Sequence, residues 1–142
     1  MVGPNQIRIM WELLEALNSN NWKKFSQHMA PDTVYNEVGT QRRIKGIGHI
    51  IAALHSWNKA MPDARGSMGN IIAGHNFVTV EVIWKVTHTG TVITATGMIP
   101  APGKSHTTPS GRILRFEDNK VKESRHYFDM IIFLTQIGAR LK

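Results

Sequence analysis

Residues 78–88 read Val-Thr-Val-Glu-Val-Ile-Trp-Lys-Val-Thr-His, and their strict alternation decides the architecture. Val78, Val80, Val82, Trp84 and Val86 share one side with His88 at the end of the row. Thr79, Glu81, Ile83, Lys85 and Thr87 share the other. Side chains that repeat every two residues sit on one face of a strand, so this is a long strand with one face on a core. Upstream, a weaker strand over Ser67 to Ala73 leads into it through the turn Gly74-His75-Asn76.

Before that the period is 3.6. Ile47, Ile50, Ile51, Leu54 and Trp57 line one side of a helix that ends near Met61-Pro62-Asp63. Ile7, Trp11, Leu14 and Leu17 form the stripe of a first helix capped by Asn5, and Trp22, Phe25 and Met29 that of a short second one. Between these helical stretches, Thr33 to Val38 reads as a strand followed by a polar loop from Gly39 to Gly46. Downstream, residues 91–104 read as a loop or an interrupted strand, because Gly97, Pro100, Pro102 and Gly103 break any pattern. His106 to Phe116 and Lys120 to Phe128 are two further strands joined by Glu117-Asp118-Asn119. Asp129 then caps a short last helix with Met130, Phe133, Leu134 and Ile137, stopped by Gly138. Helices on one face of a strongly curved, mixed or antiparallel sheet make an α+β fold with a pocket between the layers.

The 142 residues are enough for one domain, spanning 1–142, with a sizeable core. No cysteine is present, which excludes disulfides, a thiol nucleophile and Cys-ligated metal. The charges, 17 Lys and Arg against 10 Asp and Glu, sum to +7. The cations are scattered, among them Lys23, Lys24, Arg42, Arg43, Lys45, Arg112 and Arg125, with no basic helix or finger spacing. Nucleic acid therefore ranks behind a solvated surface or a cationic pocket rim that draws in acidic small molecules. Arg8, Glu12 and Glu15 interrupt the N-terminal apolar residues, which argues against a signal peptide or membrane span and for a cytoplasmic protein. No metal-ligand spacing, glycine-rich phosphate loop or nucleophile elbow occurs, so the expectation is chemistry without metal or cofactor, or plain ligand binding.

Parity nominates the pocket. Leu114 and Phe116 mark the inner face of their strand and place Arg112, Ser110 and His106 with them. Val34 carries Asn36 inward and leaves Tyr35 and Glu37 outside; a register slipped by one would reverse this and make Glu37 a candidate base. In the last strand Val121 and Tyr127 argue for one face and Phe128 for the other. Trp57, Trp84 and Met98 read as pocket wall or core, and Asp129 as a cap or a carboxylate close to His126.

The sequence resembles the SnoaL-like polyketide cyclases and predicted ester cyclases of the nuclear-transport-factor-2-like superfamily. The resemblance runs through Glu15-Ala16-Leu17-Asn18, Ala30-Pro31-Asp32, Met61-Pro62-Asp63, and Trp84 with Thr87-His88-Thr89-Gly90. It continues through Arg115 to Val121, Tyr127, Asp129 and Gln136-Ile137-Gly138. It implies a cone of curved sheet capped by helices, and a homodimer formed through the outer sheet face. It favours Lys122, Ser124, His126 and Phe128 as the inner row of the last strand. His126 matches the position at which characterised cyclases carry an Asp as general acid/base, a role that a His can also fill because both of its protonation states are within reach near neutral pH. His88 matches the family's His in Thr-His-Thr-Gly, and Arg112 falls where members place a His. The implied activity is a cofactor-independent cyclase or isomerase, with a binding module for a small hydrophobic, acidic or aromatic ligand as the alternative.

Overall fold

Cross-strand pairing, more than helix packing, sets where side chains point in this chain. The computed structural model describes residues 4–87, 92–94, 97–99 and 105–129. Helices α1 (Pro4–Ser19) and α2 (Trp22–Gln27) precede strand β1 (Met29–Glu37), a 3-10 turn (Val38–Thr40) and strand β2 (Arg42–Lys45). Helix α3 (Ile47–Ala60) leads to strands β3 (Arg65–Ala73) and β4 (Phe77–Thr87). The small pair β5 (Val92–Thr94) and β6 (Gly97–Ile99) comes before β7 (Ser105–Glu117) and β8 (Lys120–Phe128). Six strands form one curved, unclosed sheet in the order β2-β1-β8-β7-β4-β3. β1 and β8 are parallel and the other pairs antiparallel. No helix among the described residues is long and apolar enough to cross a membrane.

The alternating stretch that opened the reading is β4. Val78, Val80 and Val82 are buried on its inner face, against Leu114 and Phe116 of β7 and Val121 of β8. Each such valine contributes roughly 1.5–3 kcal/mol by leaving water. Helix α1 covers them with Ile9, Met10, Leu13 and Leu14, so its stripe is offset from the expected one. Trp11 is 51% exposed, because a stripe centred on it would put Met10 and Leu13 in water. The helix begins at Pro4, which leaves Asn5 within its first turn. At its far end the Asn18 amide accepts from the Gly66 N–H at 2.8 Å and donates to the Gly66 carbonyl at 3.0 Å. A Cβ at Gly66 would lie 2.9 Å from Leu14 Cδ1 and Val82 Cγ1, so only glycine lets helix and sheet come this close.

Irregular pairing corrects the parity readings at two strands. In β1, Thr33, Tyr35 and Glu37 are buried and Val34 and Asn36 face the other side, the reverse of the preferred register. The β1–β8 register shifts between Met29 and Val34, across Pro31, which breaks the count from the strand's buried start. In β8 one extra residue is accommodated. Phe116 pairs with Val121 while Arg115 pairs with Glu123. Val121 and Ser124 are therefore both buried, and His126 and Phe128 continue on the inner face. Lys122 is turned out to an ion pair with Asp32, correcting its assignment to the inner row. The β7–β8 turn holds Asp118 at φ 52° and Asn119 at φ 62°. Two consecutive left-handed residues make the hairpin turn whose twist matches the flanking strands. The expected polar loop over 39–46 contains β2, and the expected last helix lies outside the described residues.

Candidate functional site

A row of directly paired residues crosses the sheet: Arg42 on β2, Glu37 on β1, His126 on β8, Arg112 on β7 and Val80 on β4. Directly opposed side chains on one sheet face are within reach of each other, so this register brings cation, anion, imidazole and cation together. Its anchor is Glu37, which is fully buried. Oε1 accepts from Arg42 Nη2 at 2.8 Å, Arg42 Nε at 3.1 Å and the Thr40 hydroxyl. Oε2 accepts from Trp57 Nε1 and the Tyr35 hydroxyl, both at 2.7 Å. Five donors from β1, the following turn, β2 and α3 occupy the carboxylate. This corrects the reading of Glu37 as a base: it has no free lone pair to offer a substrate and does not line the cavity.

Donor counting sets the state of His126. The Tyr35 hydroxyl has one hydrogen, and burial first, then the Glu37 charge, push its pKa well above 10.0, so that hydrogen stays on and goes to Glu37. The same oxygen lies 2.9 Å from His126 Nδ1, where it can only accept. Nδ1 therefore carries the imidazole proton. Burial, and secondarily the Arg112 charge, hold the His126 pKa well below 6.5, so the ring has no second proton at neutral pH. Nε2 is left with a bare lone pair, buried and without a hydrogen-bond partner. Replacing Tyr35 by Phe should release this choice. Imidazole ¹⁵N spectra at neutral pH are expected to show protonated Nδ1 in the parent and a shift toward protonated Nε2 in Tyr35→Phe. A parent already protonated at Nε2 would overturn this assignment.

A cavity of about 120 Å³ lies between sheet and helices. His126, Arg112, Tyr35, Ser110 and Thr108 enter it from the sheet, and Trp22, Leu54, Trp57 and Met61 from the helical side. Trp84, Val86 and Phe128 complete an apolar and aromatic wall, with Phe128 set edge-on to Trp57 at 6.1 Å between ring centres. Ser110 donates to the Val82 carbonyl at 2.9 Å. Arg112 is only 9% exposed, its Nε has no hydrogen-bond partner, and no ion pair forms with it among the described residues. Among those residues no three His, Asp or Glu side chains converge to hold a metal ion.

Of the residues nominated by sequence, His126, Arg112, Tyr35, Trp57, Trp84 and Phe128 thus meet at one cavity. Asn36 is on the opposite face, and Asp129 is exposed beyond the end of β8 rather than in the lining. His88 lies outside the described residues, as do the side chains of Met98 and His106. Trp22, read only as a helix-face residue, proves to be cavity wall. Arg42 was counted among scattered cations and Thr40 was not singled out. The spacing Glu37-x-x-Thr40-x-Arg42 around a tight turn was the available signal.

Comparison with solved structures agrees with this architecture. A protein of Jannaschia sp. CCS1, provisionally described as a SnoaL-like polyketide cyclase, is similar with TM-score 0.87 and 16% identity over 99% of this chain and 96% of its own. IdmH of Streptomyces antibioticus, provisionally described as a polyketide cyclase, gives 0.78 and 20% over 94% and 99%. A ketosteroid isomerase-like fold from Catenulispora acidiphila, in complex with trimethylamine, gives 0.78 and 14% over 93% of each chain. No functionally curated protein matches the sequence. The family model described as SnoaL-like polyketide cyclase matches residues 7–137, nearly the whole fold and every strand that carries the site. The chain belongs to the SnoaL-like polyketide cyclase family.

Proposed function

We propose that the protein is a cofactor-independent cyclase or isomerase acting by general acid/base catalysis on a hydrophobic, carbonyl-bearing small molecule of polyketide or lactone type. The observation that carries this is His126, which lines an aromatic cavity with its buried Nε2 unpartnered, beside Arg112, whose Nε is unpartnered too. In the proposed step Nε2 takes a proton from the carbon next to a carbonyl. The C–H bond's electron pair moves onto the carbonyl oxygen, and Arg112 stabilises the resulting enolate. For ring closure the enolate carbon attacks a second carbonyl, and the new alkoxide takes the proton back from Nε2. For isomerisation the proton returns to a different carbon. No other reactant is consumed in either sequence. In the same reading two copies pair through the outer sheet face, where Ile83 and the 40%-exposed Tyr127 stand.

The depressed basicity of His126 favours one competing reading, a pocket that binds an acidic or aromatic ligand and returns it unchanged. One experiment separates the two. The protein is incubated in D₂O with polycyclic ketones and lactones whose α-hydrogens exchange slowly unaided, followed by mass spectrometry. Protein-dependent deuterium at the α carbon, with a ring-closed or isomeric product, is the expected result. Ligands that raise the melting temperature yet come back undeuterated would establish the binding module.

A further inference from the structure

Strand β7 runs a polar stripe through the middle of an apolar cavity. Thr108, Ser110 and Arg112 are all buried on its inner face, and all three line the cavity. Residues two apart on a strand share a face and stand about 6.6 Å apart. Across the sheet the neighbours of Ser110 are apolar, Val82 on β4 and Phe128 on β8. A hydroxyl buried among such groups is costly unless it is hydrogen-bonded. Ser110 is, through its donation to the Val82 carbonyl at 2.9 Å.

That bond fixes what Ser110 can offer a ligand. A serine hydroxyl has one hydrogen and two acceptor lone pairs. With the hydrogen held on Val82, the oxygen presents an acceptor and no donor. The nearby donors of the cavity are engaged with the protein itself. The Tyr35 hydroxyl and the Trp57 N–H both donate to Glu37, and the Asn58 amide donates to Asn20 at 3.0 Å. Two strand positions along, Arg112 is the converse of Ser110, since a guanidinium has donors only.

We infer that Ser110 is a specificity-determining residue, whose oxygen accepts a hydrogen bond from a hydroxyl group on the ring of the ligand. The ligand class is then a hydroxyaryl ketone or lactone, with its carbonyl at the Arg112 end and its neutral hydroxyl across the ring at Ser110. This inference rests on the proposed function in one respect, the place of the carbonyl beside Arg112. The strand step between the two residues suits one flat ring, and Trp84 and Phe128, paired with Thr108 and Ser110, supply flat walls for it.

The test compares 4-hydroxyacetophenone with 4-methylacetophenone, which has the same shape and no hydroxyl. Affinities are measured by NMR titration at a pH well below the pKa of the phenol. The hydroxy probe is expected to bind about threefold to tenfold tighter, the worth of one ordinary hydrogen bond. Ser110→Ala should lose that preference while its affinity for the methyl probe stays within about twofold of the parent's. Ser110→Cys, which keeps the shape but accepts hydrogen bonds only weakly, should lose most of it too. Equal affinities in the parent, binding of neither probe, or the full preference kept in either variant would each overturn the inference. So would a preference that emerges only as the phenol ionises, because Arg112 would then be reading an anion. Incubation of the same probes in D₂O keeps the two readings apart. A hydroxyl preference without deuterium at the methyl ketone keeps Ser110 and loses the acid/base reading. Deuterium without the preference does the reverse.

Discussion

His126→Ala is expected to lower turnover about 10²–10⁴-fold, the range supplied by a positioned general acid/base, while ligand affinity changes far less. The asymmetry follows from the geometry. Nε2 is proposed to meet the reacting hydrogen, whereas most of the cavity wall is Trp57, Trp84, Phe128 and other groups that bind without reacting. Turnover within threefold of the parent would remove His126 from the mechanism. The pH dependence carries a second signature. Above about 6.5 folded and unfolded chains both hold a neutral ring at this position. As pH falls through 6.5 the unfolded chain gains a proton that the folded chain refuses, because burial and Arg112 hold the native pKa down. Stability then declines by up to about 1.4 kcal/mol per pH unit from this group, and a His126→Gln protein should lose that part of the slope. Denaturation midpoints between pH 7 and pH 5 measure it directly.

Arg42→Met is expected to be the most destabilising single change in the site. It leaves the Glu37 carboxylate fully buried with its cation gone, a situation that costs about 3–5 kcal/mol and would lower the melting temperature by roughly 10 °C. The comparison within the same molecule is Arg8–Glu12, also an ion pair at 2.9 Å but set on the surface of α1. Arg8→Ala should change stability by no more than about 0.5 kcal/mol, because water screens that pair and the helix holds it only loosely. Adding Glu37→Gln to Arg42→Met should recover part of the loss, since the buried group is then neutral. A loss below about 1 kcal/mol for Arg42→Met would mean that the Glu37 charge is compensated elsewhere.

How far the sequence could be read depended on whether parity survived along each strand. It did in β4 and β7, where Val78 to Val86 and Arg112 to Phe116 alternate without interruption; both strands came out facing as expected. It did not in β1 and β8. Val34 and Asn36 look inward from sequence because valine is the better apolar marker. Pro31 and the shifted pairing around it instead bury Tyr35, whose hydroxyl finds Glu37 and His126. In β8 the hints of Val121 and Phe128 were both right, which only an extra residue between them allows, while that of Tyr127, which is exposed, was not. A bulge leaves no mark in hydrophobic periodicity, so family resemblance rather than spacing pointed to His126. The Glu37–Arg42 pair was invisible for a different reason. One cation among seventeen cannot be distinguished by composition, and its partner was being read as facing the other way.

The distribution of tryptophan has a practical consequence. The chain has four, and Trp22, Trp57 and Trp84 all border the cavity, while Trp11 stands in solvent on α1. Near-ultraviolet light taken up by indole in this protein is therefore taken up largely at the site, with Trp11 as a constant background. Trp57 reports most directly, since its N–H is tied to the Glu37 carboxylate and its ring forms part of the wall. Intrinsic emission thus follows occupancy of the cavity with no dye attached, in the unmodified chain and at micromolar protein concentrations.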